Sequence, residues 1–183
     1  INLATSAFGQ SQTVTPLQMI NAMSAIANGG NLMKPYVIKQ VVDADGNVIK
    51  NIEPTVVRRV ISEETSKTMR SILEGVVSEG GGRNAYVAGY RIAGKTGTSE
   101  KLPRGSNTYI ASFCGFAPAD DPQIVCLVML DNPQGGNYYG GMIAAPVVGS
   151  IIEDTLRYLG VEPQYTESES GGADIEMPEV RGK

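Results

Sequence analysis

The stretch Gly89-Tyr90-Arg91-Ile92-Ala93-Gly94-Lys95-Thr96-Gly97-Thr98 admits two folds that exclude each other. Residues 89–96 match the phosphate-loop pattern G-x-x-x-x-G-K-[ST] letter for letter. The apolar strand ending at Asp131 even has the form of a Mg²⁺-binding partner for such a loop. A phosphate loop, however, needs a helix opening at its lysine, because the N-terminal N–H groups of that helix hold the phosphates. Here Lys95 is followed by Gly97, Pro103 and Gly105, so no helix can start. Tyr90, Arg91, Ile92 and Ala93 have the character of a strand rather than of a flexible nest. The spacing therefore predicts a strand over Tyr90–Thr98. Glycines within a strand mark places where another backbone or a ligand comes close. Nucleotide binding remains the remote alternative, and thermal stabilisation by a nucleotide with Mg²⁺ would revive it.

Working outward, the elements on either side are those of an α+β domain. Downstream, Thr108–Phe116 and Gln123–Leu130 read as strands, joined by the turn-forming Ala117-Pro118-Ala119-Asp120-Asp121-Pro122. A last helix begins near Pro146, with Val148, Ile151, Ile152, Thr155 and Leu159 as its buried face and Gly160 as its stop. Upstream, Ser62 can cap a helix over 63–79 whose apolar stripe is Met69, Ile72, Leu73, Val76 and Val77. Before it, Pro35–Asp43 alternates as a strand, Asp45-Gly46 forms a hairpin turn, Val48-Ile49 starts the return, and Thr55–Val60 is a further β-branched run. Segment 15–29 reads as a helix: Thr15 caps it, Pro16 suits the first helical position and Gln18 completes a capping box. Leu17, Ile20, Met23 and Ala27 form its apolar face, widened by Met19 and Ile26. Three strands near 90–98, 108–116 and 123–130 form an antiparallel sheet flanked by helices. The polar, acidic composition of 161–174 reads as a linker.

Composition removes whole classes of chemistry. The chain has 183 residues and no histidine, so it cannot by itself build a Ser-His-Asp triad, a Cys-His pair or a His-ligated zinc site. A net charge of −4, with no tryptophan and three phenylalanines, argues against nucleic acid and anionic membranes as partners. No apolar run reaches the ~18 residues of a membrane-spanning helix. Cys114 and Cys126 are too few for a disulfide framework and read as two small buried hydrophobes. A symmetric hairpin would place them opposite each other, which leaves a bond between them open. The chain starts at Ile1 without a signal-peptide pattern, and the expectation is a piece of a longer protein.

Several segments, in order and spacing, resemble the class B penicillin-binding proteins. Gly9-Gln10, Val14-Thr15-Pro16-Leu17-Gln18-Met19 and Ile26-Ala27-Asn28-Gly29-Gly30 are similar to one segment of that family. Ala93-Gly94-Lys95-Thr96-Gly97-Thr98 resembles its K-T-G motif. Phe113-Cys114-Gly115-Phe116-Ala117-Pro118, then Val128–Pro133, resemble its next two strands, and Pro146 onward its closing helix. Ser11 stands where many members have glycine. The likeness covers 1–160. Met177-Pro178-Glu179-Val180-Arg181-Gly182-Lys183, within 175–183, resembles the opening of a PASTA repeat, which points to the division or sporulation-specific members.

The resemblance implies a D,D-transpeptidase that cross-links peptidoglycan stem peptides through a serine acyl-enzyme and is acylated by β-lactams. It implies a place at the extracytoplasmic face of a bacterial membrane, and no cofactor or metal. Lys95, Thr96, Gly97 and Thr98 would be the site residues: a fixed cation, a side-chain-free approach for substrate backbone, and hydroxyls directed at a substrate carboxylate. A backbone N–H of this strand would help stabilise an oxyanion. The family also needs a nucleophile in S-x-x-K and a second motif, S-x-N. No lysine here has serine three residues before it, and no asparagine has serine two residues before it. Thr98-Ser99-Glu100-Lys101 comes nearest to the first. The expectation is therefore the C-terminal part of a transpeptidase domain without its nucleophile. Such a chain would need the N-terminal part of the domain, or a second copy, to cover an apolar sheet face or edge. A serine β-lactamase-like fragment and a non-catalytic cell-wall or division binding module are the alternatives. Nitrocefin turnover by the full-length protein would favour the first, and muropeptide pull-down with a Lys95→Ala control the second.

Overall fold

A computed structural model of the chain describes residues 2–6, 9 and 12–165. Thr15 and Gln18 close the expected capping box: Thr15 N–H donates to Gln18 Oε1 at 2.9 Å and Gln18 N–H to Thr15 Oγ1 at 3.2 Å. This opens helix α2 (Pro16–Ala27), which follows a short α1 (Asn2–Ser6). Its buried face is Met23, Ala25 and Ala27. Leu17 and Met19, expected on that face, are instead exposed, at 59% and 41%.

Residues 31–60 form an arm of two antiparallel pairs, β1 (Asn31–Met33) with β4 (Val56–Arg59) and β2 (Gln40–Val42) with β3 (Val48–Asn51). The strand expected over Pro35–Asp43 is thus reduced to its last residues, since Pro35 has no N–H to give a ladder. The turn between β2 and β3 is held by Asp43, whose carboxylate accepts from Asp45 N–H, Asn47 N–H and Asn47 Nδ2 at 2.8–3.0 Å. These bonds, the Asn47 amide first, hold its pKa below the ordinary value.

Helix α3 (Glu63–Ser78) is capped by Ser62, which accepts from Thr65 N–H at 3.1 Å. It buries Ser66, Leu73 and Val77. Ile72, placed in the stripe by its spacing, is 58% exposed instead. A 3₁₀ turn at Arg83–Ala85 leads to the central sheet, β5 (Ala93–Glu100), β6 (Tyr109–Ala117) and β7 (Ile124–Asp131), paired antiparallel in that order. The expected start at Tyr90 fails because Tyr90 turns back to bridge Val87. A short α4 (Gly140–Ile143), absent from the sequence reading, precedes α5 (Ala145–Tyr158). Helix α5 buries Ala145, Val148, Gly149, Ile152 and Leu156. Ile151 and Leu159 lie outside that face, at 40% and 51% exposure.

The sheet has a core on each face, set by the alternation of its strands. On one face Phe113 and Ala117 pack with Val148, Ile152 and Leu156 of α5. On the other, Cys114, Phe116 and Ala93 pack with Met23, Ala27 and Leu73 of α2 and α3. Cys114 lies opposite Leu127, and Cys126 opposite Gly115, so the cysteines sit one step out of register on opposite faces. Both thiols are free, which settles the open question of a bond between them. Beyond α5, Gln164 N–H donates to Gly89 O at 2.7 Å and Tyr90 Oη to Val161 O at 3.3 Å. The start of the expected linker therefore lies against the turn before β5. The rest of it from 166, the PASTA-like end, Gln10 and Ser11 are outside the described residues.

Candidate active-site strand

Lys95, Thr96, Gly97 and Thr98 lie in the middle of β5, paired with Cys114, Phe113, Ser112 and Ala111 of β6. No helix opens at Lys95, which removes the phosphate-loop reading. The aspartate expected to mimic a metal ligand, Asp131, instead forms a salt bridge with Lys101 at 2.6 Å. Among the described residues strand β5 pairs with β6 on one side only, so its other edge is open.

Strand alternation puts Lys95 and Gly97 on the α2/α3 face and Thr96 and Thr98 on the face toward α4 and α5. The register alone would separate the cation from the hydroxyls. The flexible lysine stem overcomes this by bending around the strand. Lys95 Nζ donates to Thr96 O at 2.9 Å and reaches Thr96 Oγ1 at 3.5 Å. Because Thr96 O is taken from outside the β5–β6 ladder, Thr96 and Thr98 present their backbone polar groups to the open edge. Among the described residues Lys95 enters no salt bridge. The charged pairs are Arg91 with Glu74 and Asp120, Lys101 with Asp131, and Arg157 with Glu153.

The glycines act through space rather than through unusual dihedrals. A side chain at Gly97 would collide with Ser112 Oγ, and one at Gly94 would come within 2.6 Å of the Phe113 ring. Thr98 Oγ1 accepts from Gly140 N–H at 3.1 Å. Gly140, Gly141 and Ser112 are site neighbours that the sequence reading did not single out. The signal available was the Gly140-Gly141 pair itself, just before the last helix. Two grooves, of about 400 Å³ around Tyr109, Asn132 and Tyr138 and about 640 Å³ around Glu74, Arg83 and Arg91, do not include residues 95–98. The Lys95–Thr98 strand is one wall open to solvent.

Residues 1–153 match the family described as "Penicillin binding protein transpeptidase domain". The chain belongs to that family. Within it, the chain is 48% identical over 191 aligned positions to Stage V sporulation protein D of Bacillus subtilis, covering all of this chain and 30% of that protein. It is 38% identical over 167 positions to the peptidoglycan D,D-transpeptidase FtsI of Escherichia coli, covering 89% of this chain and 26% of the relative. The transpeptidase domain of Burkholderia pseudomallei penicillin-binding protein 3 superposes with a TM-score of 0.74 at 40% identity, over 89% of this chain and 48% of that one. The α+β antiparallel fold is thus that of the class B penicillin-binding protein transpeptidase domains. The chain spans 30% and 26% of the length of these two curated relatives.

Proposed function

We propose that this chain is the C-terminal part of the catalytic domain of a peptidoglycan D,D-transpeptidase, and that β5 is the wall on which the stem peptide lies. In the complete enzyme a serine hydroxyl from outside this chain adds to a peptide carbonyl. The C–N bond breaks, the amine leaves with a proton, and the amine of a second stem peptide takes the acyl group and frees the serine. Lys95 supplies a fixed positive charge for the substrate carboxylate, with Thr96 and Thr98 as hydroxyl partners. Gly97 lets substrate backbone lie close to the strand, and an edge N–H supports the developing oxyanion. The observation that carries this reading is the junction of the Lys95 ammonium with Thr96 on the open edge of β5.

The same reading makes β-lactams covalent ligands of the complete enzyme and places the enzyme at the extracytoplasmic face of a bacterial membrane. Identity of 48% to a sporulation protein, against 38% to FtsI, supports a sporulation-specific over a division role. The acidic end would lead into a PASTA repeat.

The test is labelling with fluorescent penicillin. The full-length protein forms a stable adduct, its Lys95→Ala variant labels at least about tenfold more slowly, and these 183 residues alone form none. A labelled band from the isolated chain would overturn the division of the site, and an unlabelled full-length protein would overturn the transpeptidase reading.

A further inference from the structure

The groove of about 400 Å³ lies at the end of the sheet where β5 finishes. Tyr109, which lines it, pairs with Glu100, three residues beyond Gly97. The other walls come from the turn before Tyr109 and from the loop between β7 and α4. None of the residues that line it is charged, and Asn107, Asn132, Gln134 and Asn137 bring carboxamides. Two charges beside it, Lys101 and Asp131, neutralise each other in their salt bridge at 2.6 Å.

Among the described residues, the non-glycine positions with a left-handed backbone are Asn107 at φ 54° and Asn132 at φ 52°, and both line this groove. That conformation is unfavourable for a residue with a side chain, and such residues gather where a ligand is held. Neither side-chain carboxamide has a hydrogen-bond partner among the described residues. The other two serve the loop itself: Asn137 Oδ1 accepts from Tyr139 N–H at 3.1 Å, and Gln134 Nε2 donates to Asn132 O at 2.9 Å. Tyr109 and Tyr138 stack with centroids 4.0 Å apart at 12°, so that side of the groove is rigid before anything binds.

A carboxamide both donates and accepts. Two free carboxamides beside fixed tyrosines, without countercharge, match a neutral ligand that carries hydroxyl and acetamido groups over an apolar ring face. That ligand is a sugar. The position agrees with the transpeptidase reading, on which this step rests. An extended stem peptide covers about 3.3 Å per residue, so three or four residues from a carbonyl at Gly97 reach about 10–13 Å along β5. Its N-terminal end, joined to the glycan, then lies where β5 stops at Glu100 and the carboxamides begin. We propose that this groove is a saccharide subsite, with Asn107 and Asn132 as the hydrogen-bonding pair for an acetamido sugar of the glycan strand.

The probe is the β-1,4-linked tetramer of N-acetylglucosamine, followed by saturation-transfer NMR on the full-length protein. The native protein should bind it, and the double variant Asn107→Gly, Asn132→Gly should bind at least about fivefold more weakly. Glycine keeps the left-handed backbone and removes only the carboxamides. No transfer with the native protein, or equal transfer in both, would overturn the inference and leave the transpeptidase reading standing. Turnover gives the second readout. The stem pentapeptide carrying its disaccharide should acylate the native protein about tenfold faster than the free pentapeptide, and this ratio should fall toward one in the variant. An equal loss on both donors would assign the groove to peptide and overturn the saccharide subsite. Should the double variant not fold, each single variant should show part of the loss, and none in either would overturn the pair's role. A native protein that takes up the tetramer but no penicillin would overturn the transpeptidase reading and, with it, the link to a stem peptide.

Discussion

Cys114 shows how a strand register decides the chemistry of a single residue. It is buried between α2, α3 and the sheet, and burial, with Cys126 nearby, pushes its thiol up to about 12 from an ordinary 9.0. Cys126 is half-buried and is raised by burial alone. The thiolate is the reactive form, so at pH 8 Cys126 should alkylate first and Cys114 only on unfolding. Mass mapping after brief iodoacetamide treatment checks this, and Cys114 modified first would contradict the register. The sign for stability follows. Between 9.0 and about 12 the native state keeps a proton that the unfolded chain has released, so this group lowers stability as pH rises through that window. The sequence showed that both cysteines are hydrophobic in character. It could not show that they lie on opposite faces, because a one-residue shift in pairing reverses the face. Lys95 and Thr96 were legible as a pair from their motif. Their meeting across the strand edge was not, since it depends on the lysine side-chain conformation. The Gly140–Thr98 bond lay beyond sequence reading altogether, because 42 residues separate its partners.

At the scale of elements, caps and stops were read well because they are local. Thr15, Ser62 and Gly160 each act within a few residues of the backbone they terminate. Helix faces were read less well because orientation is set by the partner. In α3, periodicity favoured Ile72, but the structure buries Ser66, a polar residue no apolar stripe includes. Ser66 is fully buried, and its Oγ donates to Ile26 O of α2 at 2.6 Å, tying the two helices under the sheet. In a protein carrying the whole domain, Ser66→Ala should cost about 1–3 kcal/mol, because it removes the side-chain donor of the Ile26 carbonyl at a buried helix contact. Ile72→Ala at the exposed position should stay within about 0.5 kcal/mol. Urea melts of the two variants provide the comparison, and a larger loss at Ile72 would mean that α3 is rotated from the orientation described.

For the whole molecule, the decisive fact is how much sheet and arm is left without a neighbour. Strand β7 pairs with β6 alone, so among the described residues its second edge is open along Ile124–Asp131. Met129, on the α2 face, is 42% exposed. The arm shows Val37 at 99% and Ile49 at 67% exposure. Open strand edges carrying apolar side chains pair with whatever strand is available. The polar ends of the arm do not offset this, because its Lys34, Lys39, Lys50, Arg58 and Arg59 flank the aliphatic residues rather than replace them. The isolated chain should therefore self-associate, with a light-scattering mass that rises with protein concentration and a broad melt. Co-expression with the N-terminal part of the transpeptidase domain should remove the association, sharpen the melt and restore penicillin labelling together, because the same docking covers the edge and completes the site. A concentration-independent monomer with a cooperative melt would show that this sheet is self-sufficient. Association relieved without recovery of labelling would separate the covering of the edge from the assembly of the site.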